Sequence, residues 1–64
     1  ESVIKRIIRV RMEKARLRLN ENQLRISDIS EQVGYRSVSY FSNVFKKYYG
    51  TSPQEYRKNH SVKK

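Results

Sequence analysis

The sequence predicts an all-α domain made of one long helix followed by three shorter ones. Apolar residues recur at spacings of three and four through residues 3–19 and again through residues 38–49. Gly34, Gly50 and Pro53 fall where those periodic stretches stop or start. No segment reads as a strand.

In the first helix Ile4, Ile8, Met12, Ala15 and Leu19 share one face, while Lys5, Arg6, Arg9, Arg16 and Arg18 fill much of the rest. Ser2 is placed to cap it, and Glu13 lies within a turn of both Arg9 and Arg16. Ile7, Val10 and Leu17 widen the apolar surface beyond one stripe, so this helix is expected to touch two things. Residues 20–25 are polar and aperiodic, which predicts a loop. Ser27 is the expected cap of a short second helix running to about residue 33, with Asp28 and Glu31 suiting its dipole and Ile29 and Val33 facing inward. Gly34 then supplies a left-handed stop.

Ser37 caps the third helix, which Gly50 ends. Ser52, Pro53 and Glu55 form the pattern of a capping box and open the last short helix. Beyond it, KNHSVKK is expected to fray into a basic tail.

Composition narrows the function. A chain of 64 residues makes one small domain, and a domain of that size buries only about 60% of the surface its unfolded form exposes. It has no cysteine, so disulfides, zinc–thiolate sites and thiol chemistry are excluded. No apolar run approaches the roughly 18 residues of a membrane span, and no signal-peptide pattern precedes the first helix. A cytoplasmic protein, with Glu1 marking a piece of a longer chain, is the expectation. Fifteen Lys and Arg against six Asp and Glu give a net charge of +9, spread along the chain. A field of that sign attracts polyanions, which makes nucleic acid or an anionic membrane surface the leading class of partner.

No catalytic, metal or cofactor site emerges. Asp28 and Glu31 read as helix-dipole partners. His60 stands alone, and the two glycines are isolated helix ends that cannot cradle a phosphate.

Residues 34–50 hold six of the seven aromatic residues. With Phe41 set at zero on a helical wheel, Val44, Phe45 and Tyr48 fall within about 60° of it. Ser39, Ser42, Asn43 and Lys46 lie opposite, between about 100° and 200°. The rings at core spacing are therefore structural, leaving Tyr40 and Tyr49 off the stripe. Exposed rings for stacking single-stranded bases are not what this pattern offers. A short helix, a glycine turn and a second helix with a polar, partly basic outer face is the helix-turn-helix pattern, in which the second helix enters the DNA major groove. Phe41 and Val44 come one place later than the compact motif has them, which predicts a longer turn.

The residues 26–59, ISDISEQVGYRSVSYFSNVFKKYYGTSPQEYRKN, resemble the C-terminal signature of the AraC/XylS family of bacterial transcriptional regulators. VRMEKARLRL upstream resembles that family's linker helix. The resemblance implies a linker helix and loop over residues 1–25, left from a larger domain of two helix-turn-helix units. It implies the second unit and its closing helix over 26–59, with a disordered basic tail at 60–64. It also implies sequence-specific binding of double-stranded operator DNA, with Val38, Ser39, Ser42 and Asn43 facing base edges and Arg36, Ser37, Lys46 and Lys47 near the backbone. Ile29, Val33, Tyr35, Phe41, Phe45, Pro53 and Tyr56 fall on packing positions. Implied partners are the first unit and sensor domain of the parent chain, and RNA polymerase; no cofactor, catalysis or membrane is implied.

Three positions depart from the family. Ser30 replaces an alanine and needs a hydroxyl partner, expected one turn back. Asn43 replaces the common arginine and can pair with adenine. Arg18 and Leu17 exchange the usual apolar and polar places, which predicts a rotated or locally altered linker. Val3, Ile4, Ile7 and Ile8 are expected to lie uncovered without the first unit. The rival readings are a basic amphipathic helix that binds an anionic membrane or a protein partner, and charge-driven nucleic-acid binding indifferent to sequence.

Overall fold

The computed structural model describes residues 1–21 and 23–60; the tail at 61–64 and Asn22 of the expected loop lie outside the described residues. Four helices follow one another: α1 (Val3–Leu19), α2 (Ile26–Gln32), α3 (Val38–Tyr49) and α4 (Pro53–His60). The fourth continues through His60, past the point where fraying is expected from sequence.

The helix ends follow from local chemistry. Ser2 Oγ accepts the Lys5 N–H at 3.1 Å, Ser37 Oγ that of Tyr40 at 3.2 Å and Ser52 Oγ that of Glu55 at 3.2 Å. Ser27 does not cap α2. The cap is Arg25 and the helix begins two residues earlier, with the Asp28 carboxylate, three residues after the cap, accepting the Arg25 N–H at 3.3 Å. A carboxylate acceptor makes that hydrogen bond charge-assisted, which favours the earlier start. At α4 only half of the expected capping box forms, since the Glu55 carboxylate accepts from the Thr51 hydroxyl at 3.2 Å.

The core consists of Met12, Ala15 and Leu19 from α1, Ile29 and Val33 from the second segment, Tyr35 from the turn, and Phe41 and Phe45 from α3. Pro53 is also fully buried and Tyr56 packs at the edge. The packing runs from α1 to α2, to α3, to α4 and back to α1. Arg57 closes this ring, donating from Nε to the Leu19 carbonyl at 3.1 Å and from a terminal nitrogen to the Glu21 carbonyl at 3.0 Å. Those carbonyls lie at the C-terminal end of α1, where orphan acceptors and the dipole favour a cation.

The roles expected for two tyrosines are exchanged. The helical wheel puts Tyr48 on the core stripe, yet it is 43% exposed. Tyr49 packs instead, its ring 4.8 Å from Phe45 and 6.2 Å from Tyr56. By the last turn of α3 the surface to be covered is α4, and this lies on the Tyr49 side. Arg16 reaches across to the hydroxyls of Tyr56 and Tyr49. In the linker helix Met12, Ala15 and Leu19 are buried, Leu17 is exposed, and Arg18 donates to the Gln32 side chain at 2.8 Å.

The connection between α2 and α3 spans residues 33–37, long as the sequence predicts. Gly34 has φ +99°, and a Cβ there would stand 3.2 Å from the Arg11 guanidinium carbon. The Tyr35 N–H donates to the Ser30 carbonyl at 2.9 Å, and the Ser30 hydroxyl donates to the Tyr35 carbonyl at 3.4 Å. The hydroxyl thus finds its partner across the turn rather than one helical turn back, because the left-handed step at Gly34 brings the later carbonyl over it.

Gly34→Ala should cost about 1–2 kcal/mol from backbone strain, lowering the midpoint of thermal unfolding by several degrees. Arg11→Ala in the same chain should recover little of it, and full recovery would show that crowding rather than φ sets the cost. Burial raises the Tyr49 pKa above its ordinary 10.0, partly offset by the Arg16 hydrogen bond. The folded chain therefore holds that proton more tightly than the unfolded one, so the associated stability is complete below the ordinary phenol pKa and is lost as pH rises through the raised value. Urea unfolding between pH 9 and 11 should show Tyr49→Phe losing less stability over that interval than the parent chain.

Candidate nucleic-acid interface

Phe41 and Phe45, one turn apart, fix how α3 is rolled about its axis. Both are 0% exposed. Their ring centroids are 5.9 Å apart, and Phe41 stands 5.7 Å from Tyr35 while Phe45 stands 5.7 Å from Tyr56. With that stripe held inside, the opposite side of the helix must face out. Ser39, Asn43 and Lys46 are exposed and Ser42 is half-buried. Val38 is half-buried at the first turn, beside exposed Arg36 and Ser37, and Lys47 is exposed near the other end.

All eight residues proposed from sequence thus lie on or beside one face of α3. The Ser37 oxygen caps α3, but the O–H remains a donor for a phosphate oxygen.

The face is electrostatically uniform. Residues 32–54 contain no aspartate or glutamate. Among the described residues the ion pairs join Arg9 to Glu1 and Glu13, and Arg25 to Asp28, leaving Arg36, Lys46 and Lys47 free of acidic partners. A helix carrying hydroxyls, one amide and cations, and no neutralising acid, can donate to phosphates while presenting short polar side chains to base edges. Among the described residues no cluster of His, Cys, Asp or Glu could hold a metal, and the surface depressions are open grooves.

The sequence reading missed two supporting residues. Arg11 lies over the Tyr35 ring, 5.1 Å from its centroid, and braces the turn that aims α3. Its signal was spacing alone, since it sits one residue before buried Met12. Arg57 stands in the signature beside Tyr56, yet nothing in its spacing says that it reaches the end of α1.

Residues 1–59 match the helix-turn-helix domain family, and the relatives and solved structures resembling the chain are transcription and response regulators. The chain belongs to the AraC/XylS-type helix-turn-helix family. Among its relatives, the HTH-type transcriptional activator CfaD of Escherichia coli is 46% identical over 50 residues, covering 78% of this chain and 19% of that protein. The xylose operon regulatory protein of Escherichia coli K12 is 51% identical over 47 residues, covering 73% of this chain and 12% of that protein. The C-terminal domain of AraT, a response regulator from Geobacillus stearothermophilus, superposes with a TM-score of 0.93 at 41% identity over all of this chain and 53% of that one. The C-terminal domain of the response regulator yesN from Fusobacterium nucleatum gives 0.86 at 42% identity over 89% of this chain and 55% of that one.

This AraC/XylS-type chain therefore spans a fifth or less of those two curated relatives and about half of the solved domains. The matches support sequence-specific DNA binding by a bacterial transcriptional regulator, and the relatives are named as regulators rather than enzymes. The membrane-helix alternative is disfavoured by packing, because Met12, Ala15 and Leu19 of α1 are committed to the internal core. Among the described residues no helix is long and apolar enough to cross a membrane.

Proposed function

We propose that this chain binds operator DNA by laying α3 in the major groove. The observation that carries the reading is the division of α3 into a wholly buried Phe41–Phe45 stripe and an outer face of Ser39, Ser42, Asn43 and Lys46. Ser39, Ser42 and Asn43 read base edges, and the Val38 side chain is available to a thymine methyl. Asn43 can pair in two places with adenine, the contact that the more usual arginine would direct to guanine. Arg36, Ser37, Lys46 and Lys47 hold phosphates and set the register. The work is binding, without catalysis or a cofactor, in the bacterial cytoplasm.

The first helix supports a larger assembly. Val3 is 74% exposed, Ile4 70% and Ile7 44%, as expected of residues that face a missing neighbour; Ile8 instead packs against the core of this chain. Val3, Ile7 and Val10 lie on the side of α1 turned away from Met12, Ala15 and Leu19. We assign that outer side to the first helix-turn-helix unit of the parent chain, beyond which a sensor domain and contact with RNA polymerase belong to the assembled regulator.

The test measures binding to duplexes selected by the chain from a random pool and to random duplexes of equal length, across a salt series. Asn43→Ala should lose about 1–3 kcal/mol on the best site and relax preference at one or two base pairs. A uniform loss on every sequence would mean that Asn43 does not read bases. Lys46→Ala should weaken all duplexes alike and flatten the slope of log affinity against log salt by about 0.9.

A further inference from the structure

One exposed ring on α3 has no place in the base-reading face or in the core. Tyr40 is 61% exposed. Its ring nevertheless has a fixed support, standing edge-on to Tyr35 at a centroid distance of 5.6 Å, while Arg11 lies over Tyr35 from the other helix. Tyr35 itself is only 8% exposed, so the Tyr40 ring is supported from the core while most of its own surface stays open.

The position of Tyr40 about the helix gives that hydroxyl a direction. With Phe41 at zero, Lys46 lies at about 140° and Asn43 at about 200°, whereas Lys47 lies at about 240° and Tyr40 at about 260°. Lys46 thus lies within the base-reading face, between Ser42 at about 100° and Ser39 at about 160°, whereas Lys47 stands beyond Asn43 at its edge, and Tyr40 stands with Lys47. That edge borders a groove between α1 and α3, about 460 Å³ in volume, lined by Ile8, Tyr40, Asn43, Val44, Lys47 and Tyr48. It continues past Arg36 and Arg11, and no carboxylate lines either part. A helix in the major groove has a phosphate backbone on each side. The rim of Lys47, Tyr40 and Arg36 is matched in charge to the strand on its own side.

We propose that Tyr40 is a DNA-positioning residue whose phenol hydroxyl donates a hydrogen bond to a phosphate oxygen of the strand lying along the Lys47 edge of α3. The ring spans the apolar floor of the groove, against which a deoxyribose can pack, and Lys47 and Arg36 neutralise the same strand. The inference rests on the major-groove reading of α3 and adds to it a phosphate grip along the Lys47 edge.

Tyr40→Phe tests the hydroxyl alone, because it keeps the ring that covers Tyr35. Binding of the 64-residue chain to pool-selected and random duplexes is measured by fluorescence anisotropy across a salt series. Helicity and the thermal midpoint serve as the folding control. The expected result is a loss of about three- to tenfold on both duplexes, the size of one net hydrogen bond, with their affinity ratio and the salt slope unchanged. Lys47→Ala should flatten that slope by about 0.9, and Tyr40→Phe added to it should cost less than Tyr40→Phe alone if both hold one strand. Parent-like affinity of Tyr40→Phe overturns the proposal, as does a changed affinity ratio, which would make Tyr40 a base reader. Failure of the parent chain to discriminate selected from random duplexes would sink the major-groove reading, and this inference with it.

Discussion

The roll of α3 is the constraint on which the rest depends. Two phenylalanines one turn apart must both leave water, and they can do so only if the helix turns one particular side toward Met12, Ala15 and Leu19. Every outward residue then has its direction set by residues buried in the core. Burying two aromatic side chains stabilises by a few kcal/mol in a domain with little core to spare, so a helix rolled otherwise would forfeit a large share of the fold. Specific recognition in this chain is thus inherited from packing.

The turn before α3 fixes the remaining degree of freedom, its angle to α2. A left-handed step at Gly34 doubles the chain back, and the paired hydrogen bonds between Ser30 and Tyr35 hold the two sides of the step together. Arg11 covers the same place from α1. Three elements therefore meet at Tyr35, and its ring passes the constraint on to Phe41 and Tyr40. The buried Ser30 is accommodated because its hydroxyl joins the turn instead of remaining an unpaired donor.

Much of this was legible in the residues. The bounds of α1 and α3 follow from apolar spacing with Ser2 and Ser37 at their starts and Gly50 closing α3, and structure agrees with each. The outer face of α3 was legible for the same reason, since a regular helix carries its period through. What failed were choices made by tertiary surroundings. A helical wheel assumes that the core lies in one direction along the whole of α3, yet at the last turn the covering surface becomes α4, and Tyr49 rather than Tyr48 meets it. The start of α2 is set by Asp28 reaching back to the Arg25 N–H, a bond that a search for permitted cap residues passes over. The grip of Arg57 on the end of α1 joins residues 38 apart, a separation at which no periodicity speaks.

The two apolar sides of α1 have a consequence for how a regulator of this kind can vary. One side, nearer the C-terminal end, is locked into this core; the other, nearer the start, is left open and points nearly the reverse way. Between them runs unbroken helix, which turns about 100° and advances about 1.5 Å with each residue. Inserting or deleting a single residue midway would swing anything docked on the outer side through more than a quarter of a revolution about the shaft. For the first unit proposed to dock there, the rod would be a phase gauge, its residue count dictating azimuth as well as separation.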